Sequence, residues 1–282
     1  MSTVRRFLQV DVFSPVPVRG NALAVVLDGE GLSDADMHAF AAWTNLAETT
    51  FLLPPSDLSA DYRVRILTPT REMPFAGHPT LGSCMAWLHA GGRPARSGTV
   101  RQECGVGIVE IDLSGERPAF IAPPTRIEPM PDDERDRLVS ALRLDAGAVV
   151  RTARLDNGPR WCAIELADAA QVLAADASGV RWPDDTPIGL IGPHPPGGEC
   201  THEVRLLAPS SGMSEDPITG SLNAALAHWH LALGTLSGER VIAQGTCIDR
   251  LGRVHVLPDP DVAGRVRIGG DVHVVIEGRV SL

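Results

Sequence analysis

Val64-Arg65-Ile66-Leu67-Thr68-Pro69 and Val204-Arg205-Leu206-Leu207-Ala208-Pro209 are near copies, 140 residues apart (204 − 64). Met73 and Met213 keep that spacing. A second pair follows at 138 (216 − 78): His78-Pro79-Thr80-Leu81-Gly82-Ser83 against Asp216-Pro217-Ile218-Thr219-Gly220-Ser221. Each pair leads from a strand pattern through a loop into an apolar helix pattern, Cys84-Met85-Ala86-Trp87-Leu88 in one half and Leu222-Asn223-Ala224-Ala225-Leu226 in the other. Two matches in one order and one context make chance a poor explanation. The chain reads as an internal duplication. Its period is far above that of solenoid repeats.

The rest of the pattern fits two rounds of one programme. Residues 6–13 alternate as a strand and Ala22–Leu27 as a second. Ser33-Asp34-Ala35-Asp36 resembles a capping box and opens a helix to Trp43. Strands are expected at 49–53 and 62–67, a helix at 78–89, β-rich segments through 98–121, and a helix over 132–143. The second round places strands at 147–155 and 161–166, a short helix at 168–174, strands at 187–192 and 203–208, and a helix at 219–233. Four strands close it, near 239–244, 253–257, 265–268 and 272–277. The expected fold class is α+β, with two similar pseudo-symmetric domains, each a β-rich sheet wrapped around a central helix. Pro123–Asp132, rich in proline and charge, reads as the linker. The domains are then 1–125 and 126–282, with the last strand a candidate addition to the first and the active site in a cleft between them.

Composition narrows the chemistry. The net charge of −10 argues against a non-specific nucleic-acid binder, which needs a basic patch. All 25 basic residues are arginine. Without lysine there is no pyridoxal phosphate Schiff base, lysine nucleophile or P-loop lysine. Cys84, Cys104, Cys162, Cys200 and Cys247 form no CxxC pair, so no metal site is expected, and an odd, sparse set suits reduced thiols. No apolar run reaches membrane-spanning length, and Met1–Phe7 lacks a signal region. The expectation is a cytoplasmic protein with no membrane or nucleic-acid partner.

Each repeated loop ends where a helix begins. A helix start offers unpaired N–H groups and partial positive charge, which suit a carboxylate or a developing oxyanion. Gly77 and Gly220 are the positions where a substrate can approach the backbone. Taken singly, each glycine is better read as serving a turn. The pair favours a site. Gly105-Val106-Gly107 lacks the third glycine of a dinucleotide loop and reads as a hairpin. His228 and His230 point to different helix faces and do not make a metal pair.

Several motifs together resemble the phenazine biosynthesis PhzF-like family. They are Asn45-Leu46-Ala47-Glu48-Thr49-Thr50-Phe51, Pro74-Phe75-Ala76-Gly77-His78-Pro79-Thr80-Leu81-Gly82 and Glu215-Asp216-Pro217-Ile218-Thr219-Gly220-Ser221. Arg19-Gly20-Asn21-Ala22, Gln244-Gly245 and Gly269-Gly270 resemble its other elements. Pro79 stands where that family commonly has alanine, and no proline follows Arg250. The resemblance implies the diaminopimelate epimerase-like fold, a homodimer and no cofactor. It implies Glu48 as the catalytic acid/base, with His78, Asp216 and Ser221 as substrate-binding residues. From spacing alone Glu48 reads better as a strand-start cap or ion pair, and Asp216 before Pro217 as a helix cap.

The same fold hosts racemases with two catalytic thiols. At the positions where the proline racemase pattern has them, this chain carries Ala76 and Ile218, and neither can hold a proton. Glu48 has no acid counterpart at the strict offset, where Ile188 stands, although loop drift could bring Asp185 near. The expected function is therefore a cofactor-independent isomerase. It would shift a proton and double bond in a small unsaturated cyclic amino acid or carboxylic acid, in antibiotic-type secondary metabolism. Two alternatives stay open: an epimerase or racemase using Glu48 with Asp185 or Asp216, and a duplicated small-acid binding protein without catalysis.

Overall fold

The alternation at the start of the chain becomes a strand, Val4–Val12, with Leu8, Val10 and Val12 buried. The computed structural model describes residues 3–178, 180, 187–208, 215–259 and 262–282. Asp185, Pro209 and Met213 lie outside them. The described residues form two units: those up to Ile121 with Gly269–Leu282, and those from Ala122 to Ile268.

In unit 1, Val4–Val12 pairs antiparallel with Asn21–Val26. That strand runs parallel to Glu48–Leu53, which pairs antiparallel with Tyr62–Leu67. Tyr62–Leu67 runs parallel to Thr99–Cys104, which turns antiparallel into Gly107–Asp112. Helix α1 (Asp34–Thr44) fills the first parallel crossover and α2 (Gly77–His89) the second. Ser33 caps α1 by accepting from the Asp36 N–H at 3.1 Å, the bond its capping-box pattern predicts. The strand Val272–Ser281 lies antiparallel on Val4–Val12, shifted by one residue at Gln9/Val10.

Unit 2 repeats the programme. Val149–Asp156 pairs antiparallel with Arg160–Leu166, which runs parallel to Ile188–Pro193. Ile188–Pro193 pairs antiparallel with His202–Leu207, His202–Leu207 runs parallel to Arg240–Gln244, and Arg240–Gln244 pairs antiparallel with Gly252–Pro258. Helix α3 (Asp132–Ala141) precedes these strands. Helix α4 (Ala169–Ala174) fills the first crossover and α5 (Gly220–Ala232) the second. The same alternation of pairings, with helices in the same two places, makes the duplication visible in the backbone.

The linker expectation differs in one respect. Arg126–Glu128 forms a strand, antiparallel to Arg154–Asp156. Three exposed residues are too few to show a strand period. Their charges serve the pairing, since Arg126 meets Glu128 at 3.3 Å and Asp156 at 3.6 Å. No helix among the described residues is long and apolar enough to cross a membrane.

Each unit has its own core. Phe40 of α1 sits edge-on to Phe7 and Phe51, beside Val26, Met37 and Leu67. Leu138, Leu142, Ile164, Val172, Ile188 and Leu190 belong to the core of unit 2. Helices α2 and α5 are buried on nearly every side, as apolar all-round patterns require.

Gly82 shows how tightly α2 is held. A Cβ there would stand 2.6 Å from Leu23 Cδ2 and 3.0 and 3.1 Å from the stiff Val10 and Val12 methyls. Gly82→Ala therefore sets an overpacking cost of about 1–3 kcal/mol against a helix gain of about 1 kcal/mol. The expected outcome is a lower urea midpoint with an unchanged m-value; an unchanged midpoint would show that the helix and strands can part freely.

Candidate active site

Three side chains of unit 1 converge because three local structures place them. Asp11 accepts from the Arg19 and Gly20 N–H groups at 3.1 and 2.8 Å and folds the turn before the second strand. Only glycine fits at position 20, where a Cβ would lie 2.3 Å from the Val12 carbonyl. The next residue, Asn21, is 2 % exposed. Helix α1 stops at Asn45, left-handed with φ 53°, whose N–H bonds the Ala41 carbonyl. The chain then reverses and starts its third strand with Glu48. His78 is the second residue of buried α2.

The result is a short relay. Asn21 Nδ2 lies 3.4 Å from His78 Nδ1, and His78 Nε2 lies 3.4 Å from Glu48 Oε2. The imidazole is 5 % exposed and the carboxylate 17 %. Burial pushes the His78 imidazole down to about 3, so the ring is neutral at ordinary pH. An amide nitrogen can only donate, so Nδ1 accepts and the ring proton sits on Nε2, facing Glu48. A contact of 3.4 Å is long for a hydrogen bond, and such contacts tighten when substrate binds.

In unit 2 the residues before α5 are locked together. The Thr219 hydroxyl donates to an Asp216 carboxylate oxygen. Gln244, fully buried, donates through Nε2 to Thr219 Oγ1 at 3.0 Å and to the Asp216 carbonyl at 3.4 Å. Its Oε1 accepts from the Thr219 N–H at 3.1 Å and from Asn223 Nδ2 at 2.8 Å. The Ser221 carbonyl accepts from Asn157 Nδ2 at 2.8 Å. Asp216 and Ser221 are nearly buried, and Gly77 and Gly220 are the first residues of α2 and α5. Neither helix start carries a side-chain cap. Asp216 is therefore not the cap of α5; it stands four residues before the first helical residue.

The structure also changes the register of the repeat. The helix starts are 143 apart (220 − 77), not 138. Met73 pairs with Ile66 as Asp216 bridges to Leu206, so Asp216 corresponds to Met73 and His78 to Ser221. Three extra residues in the second loop account for the shift. Upstream of the loop Leu67 and Leu207 match at 140 (207 − 67), but their antiparallel partners, Thr49 and Ile188, are 139 apart (188 − 49), so Ile188 corresponds to Thr49, and the counterpart of Glu48 is Pro187 rather than the Ile188 of the strict offset. The counterpart of the acid is a proline, whose side chain cannot hold a proton. Cys84 is fully buried, with its thiol pushed up to about 12 by burial, and is inert as a base. Among the described residues no group of three His, Cys, Asp or Glu side chains could hold a metal. Asn21, Thr219, Asn223 and Gln244 stand inside the motifs quoted from the sequence, but no role was assigned to them there. The signal that could have found one of them is a glutamine in the strand after each central helix, Gln102 and Gln244.

Comparison with known proteins agrees with this fold. The family model described as phenazine biosynthesis-like protein, PhzC-PhzF, matches residues 10–278. The Schizosaccharomyces pombe protein named antisense-enhancing sequence 1 is 32 % identical, across 98 % of this chain and 99 % of its own. Trans-2,3-dihydro-3-hydroxyanthranilate isomerase of Pseudomonas aeruginosa is 31 % identical, across 99 % of this chain and all of its own. The crystal structure of the PhzF-family phenazine biosynthesis protein of Bacillus anthracis superposes with a TM-score of 0.84 over 99 % of both chains at 21 % identity. The protein is an isomerase with the diaminopimelate epimerase-like fold. It belongs to the phenazine biosynthesis-like, or PhzF, family.

The neutral His78 has a consequence for stability. Its folded value of about 3 lies below the unfolded value near 6.5, so the unfolded chain takes up a proton first. Its contribution is complete above pH 6.5 and is lost as pH falls toward 3. His78→Asn should flatten the fall of unfolding free energy between pH 5.5 and 4 by about 1.4 kcal/mol per pH unit. Denaturant melts across that range measure it; an unchanged slope would mean that the ring is already charged in the fold.

Proposed function

We propose that the protein shifts a proton and a double bond within a small unsaturated cyclic amino acid or carboxylic acid, with Glu48 as the single acid/base. The observation that carries the reading is the Glu48–His78 contact, with Pro187, which cannot hold a proton, at the position of unit 2 that matches Glu48. The Glu48 carboxylate takes a proton from an activated carbon. The electron pair moves through the conjugated system. The Glu48 carboxylic acid then returns the proton to a carbon farther along, and the carboxylate is regenerated. Neutral His78 directs its Nε2 proton at the carboxylate or at a substrate oxygen. The uncapped start of α2 suits a substrate carboxylate, with Gly77 offering close backbone approach; in unit 2 the uncapped start of α5, with Gly220 and Ser221, has the same character, and Asp216 suits a polar substituent.

The Pseudomonas aeruginosa relative is named for a substrate of this chemical class, a ring amino acid. That name supports the substrate class, and the family description, phenazine biosynthesis-like protein, supports a role in secondary metabolism. The same reading places the enzyme in the cytoplasm as a homodimer that needs no cofactor.

The test is turnover in heavy water followed by proton and carbon NMR, with trans-2,3-dihydro-3-hydroxyanthranilate as the first probe. A one-base isomerase puts hydrogen or deuterium at a new carbon and moves the double bond. Label at the carbon that lost its proton, with inverted configuration, would overturn the reading in favour of a racemase. Glu48→Gln should lower turnover by about 10²–10⁴-fold with an unchanged circular dichroism spectrum. Near-wild-type turnover in that variant would remove Glu48 from the mechanism.

A further inference from the structure

We infer that Gln244 is a positioning residue of the isomerase site, whose side-chain amide sets the Thr219 hydroxyl to donate to the Asp216 carboxylate. The inference rests on the reading of Asp216 as a residue that meets substrate.

A threonine hydroxyl has one proton and two acceptor lone pairs. Left alone, it can turn its proton to any nearby acceptor. Here Gln244 Nε2 donates to Thr219 Oγ1 at 3.0 Å, which occupies an acceptor position and leaves the proton for Asp216. The amide cannot turn over without loss, because its oxygen already accepts from the Thr219 N–H and Asn223 Nδ2. The backbone cannot yield either. A Cβ at Gly252 would stand 2.5 Å from the Gln244 carbonyl, and one at Gly245, where φ is +87°, would stand 2.6 Å from the Pro217 carbonyl. The loop that carries Asp216 is thereby clamped to the strand that carries Gln244.

Unit 1 supplies the comparison. Gln102 is equally buried and donates to Thr80 Oγ1 at 3.0 Å, while its oxygen accepts from the Tyr62 hydroxyl at 2.8 Å. Thr80 in turn donates to the Ala76 carbonyl. Both glutamines hold the first turn of a buried helix. In unit 1 the relay ends on a main-chain carbonyl; in unit 2 Asn223, the counterpart of Thr80, likewise donates to the Thr219 carbonyl at 2.9 Å, and a second branch through the Thr219 hydroxyl ends on a carboxylate. That difference turns a structural pin into a device that orients an acidic group.

The first arm of the test needs no substrate. The Thr219 hydroxyl proton should exchange slowly enough to be seen by NMR in the wild-type chain. Gln244→Met, similar in volume but without the amide, should abolish that signal; Gln102→Met should leave it in place. A signal that survives Gln244→Met overturns the inference. The second arm follows turnover of trans-2,3-dihydro-3-hydroxyanthranilate. Gln244→Met and Thr219→Val should each lower kcat/KM on the order of 10- to 100-fold. The double variant should be no worse than the poorer single, and Thr219→Ser should restore turnover. Multiplying losses, or a serine variant as poor as the valine one, would overturn the inference. The Thr219 pair still decides it if Gln244→Met does not fold. Wild-type turnover in Asp216→Asn would instead remove the reading beneath it, and failure of the wild-type chain on this probe would count against the substrate alone.

Discussion

A helix whose first turn is buried must find partners for that turn inside the protein, and α2 and α5 impose that constraint on both units. Neither start is closed by its own cap residue. The surrounding residues are therefore polar and fixed: Thr80 with Gln102 in unit 1, and Thr219, Asn223 and Gln244 in unit 2. Strands packed as closely as those around Gly82 keep the helices from shifting.

Much of this was legible in the sequence, for reasons that differ by residue. The Val64–Leu67 and Val204–Leu207 repeats sit in paired strands, where apolar alternation and burial impose the same pattern twice. Ser33 and the α1 start are fixed by local chemistry. The loops carry no such constraint, so the second could lengthen by three residues and the matching of His78 with Asp216 went astray. The two prolines that follow those residues make the strings look alike although only His78 lies within a helix. Gln244 was hidden for another reason: a buried glutamine has no sequence period, and its role exists only through contacts 21 to 28 residues away.

Duplication produced two similar frames with unequal chemistry. Arg65 and Arg205 occupy matching positions. Arg65 pairs with Asp34 and Glu72 at a partly exposed surface. Arg205 is buried against Glu215 and reaches the Ala175 carbonyl at 2.8 Å. Removing one partner of the buried pair would strand a charge, so unit 2 is held to that arrangement more strictly. Glu48, with Pro187 at the matching position of unit 2, is the same divergence at the proposed acid. A frame that once supplied matching positions now carries its acid in one half.

The antiparallel pairing of Val4–Val12 with Val272–Ser281 sets an order of events during synthesis. Nearly the whole chain separates the partners, so their contact is among the most non-local the fold contains. The first strand emerges early and waits while the rest is made. Unit 2, drawn from the single stretch Ala122 to Ile268, has all of its residues in hand before that partner exists. Until Val272–Ser281 is translated, one edge of Val4–Val12 has unpaired N–H and C=O groups, and the nascent chain carries a surface on which other strands can pair.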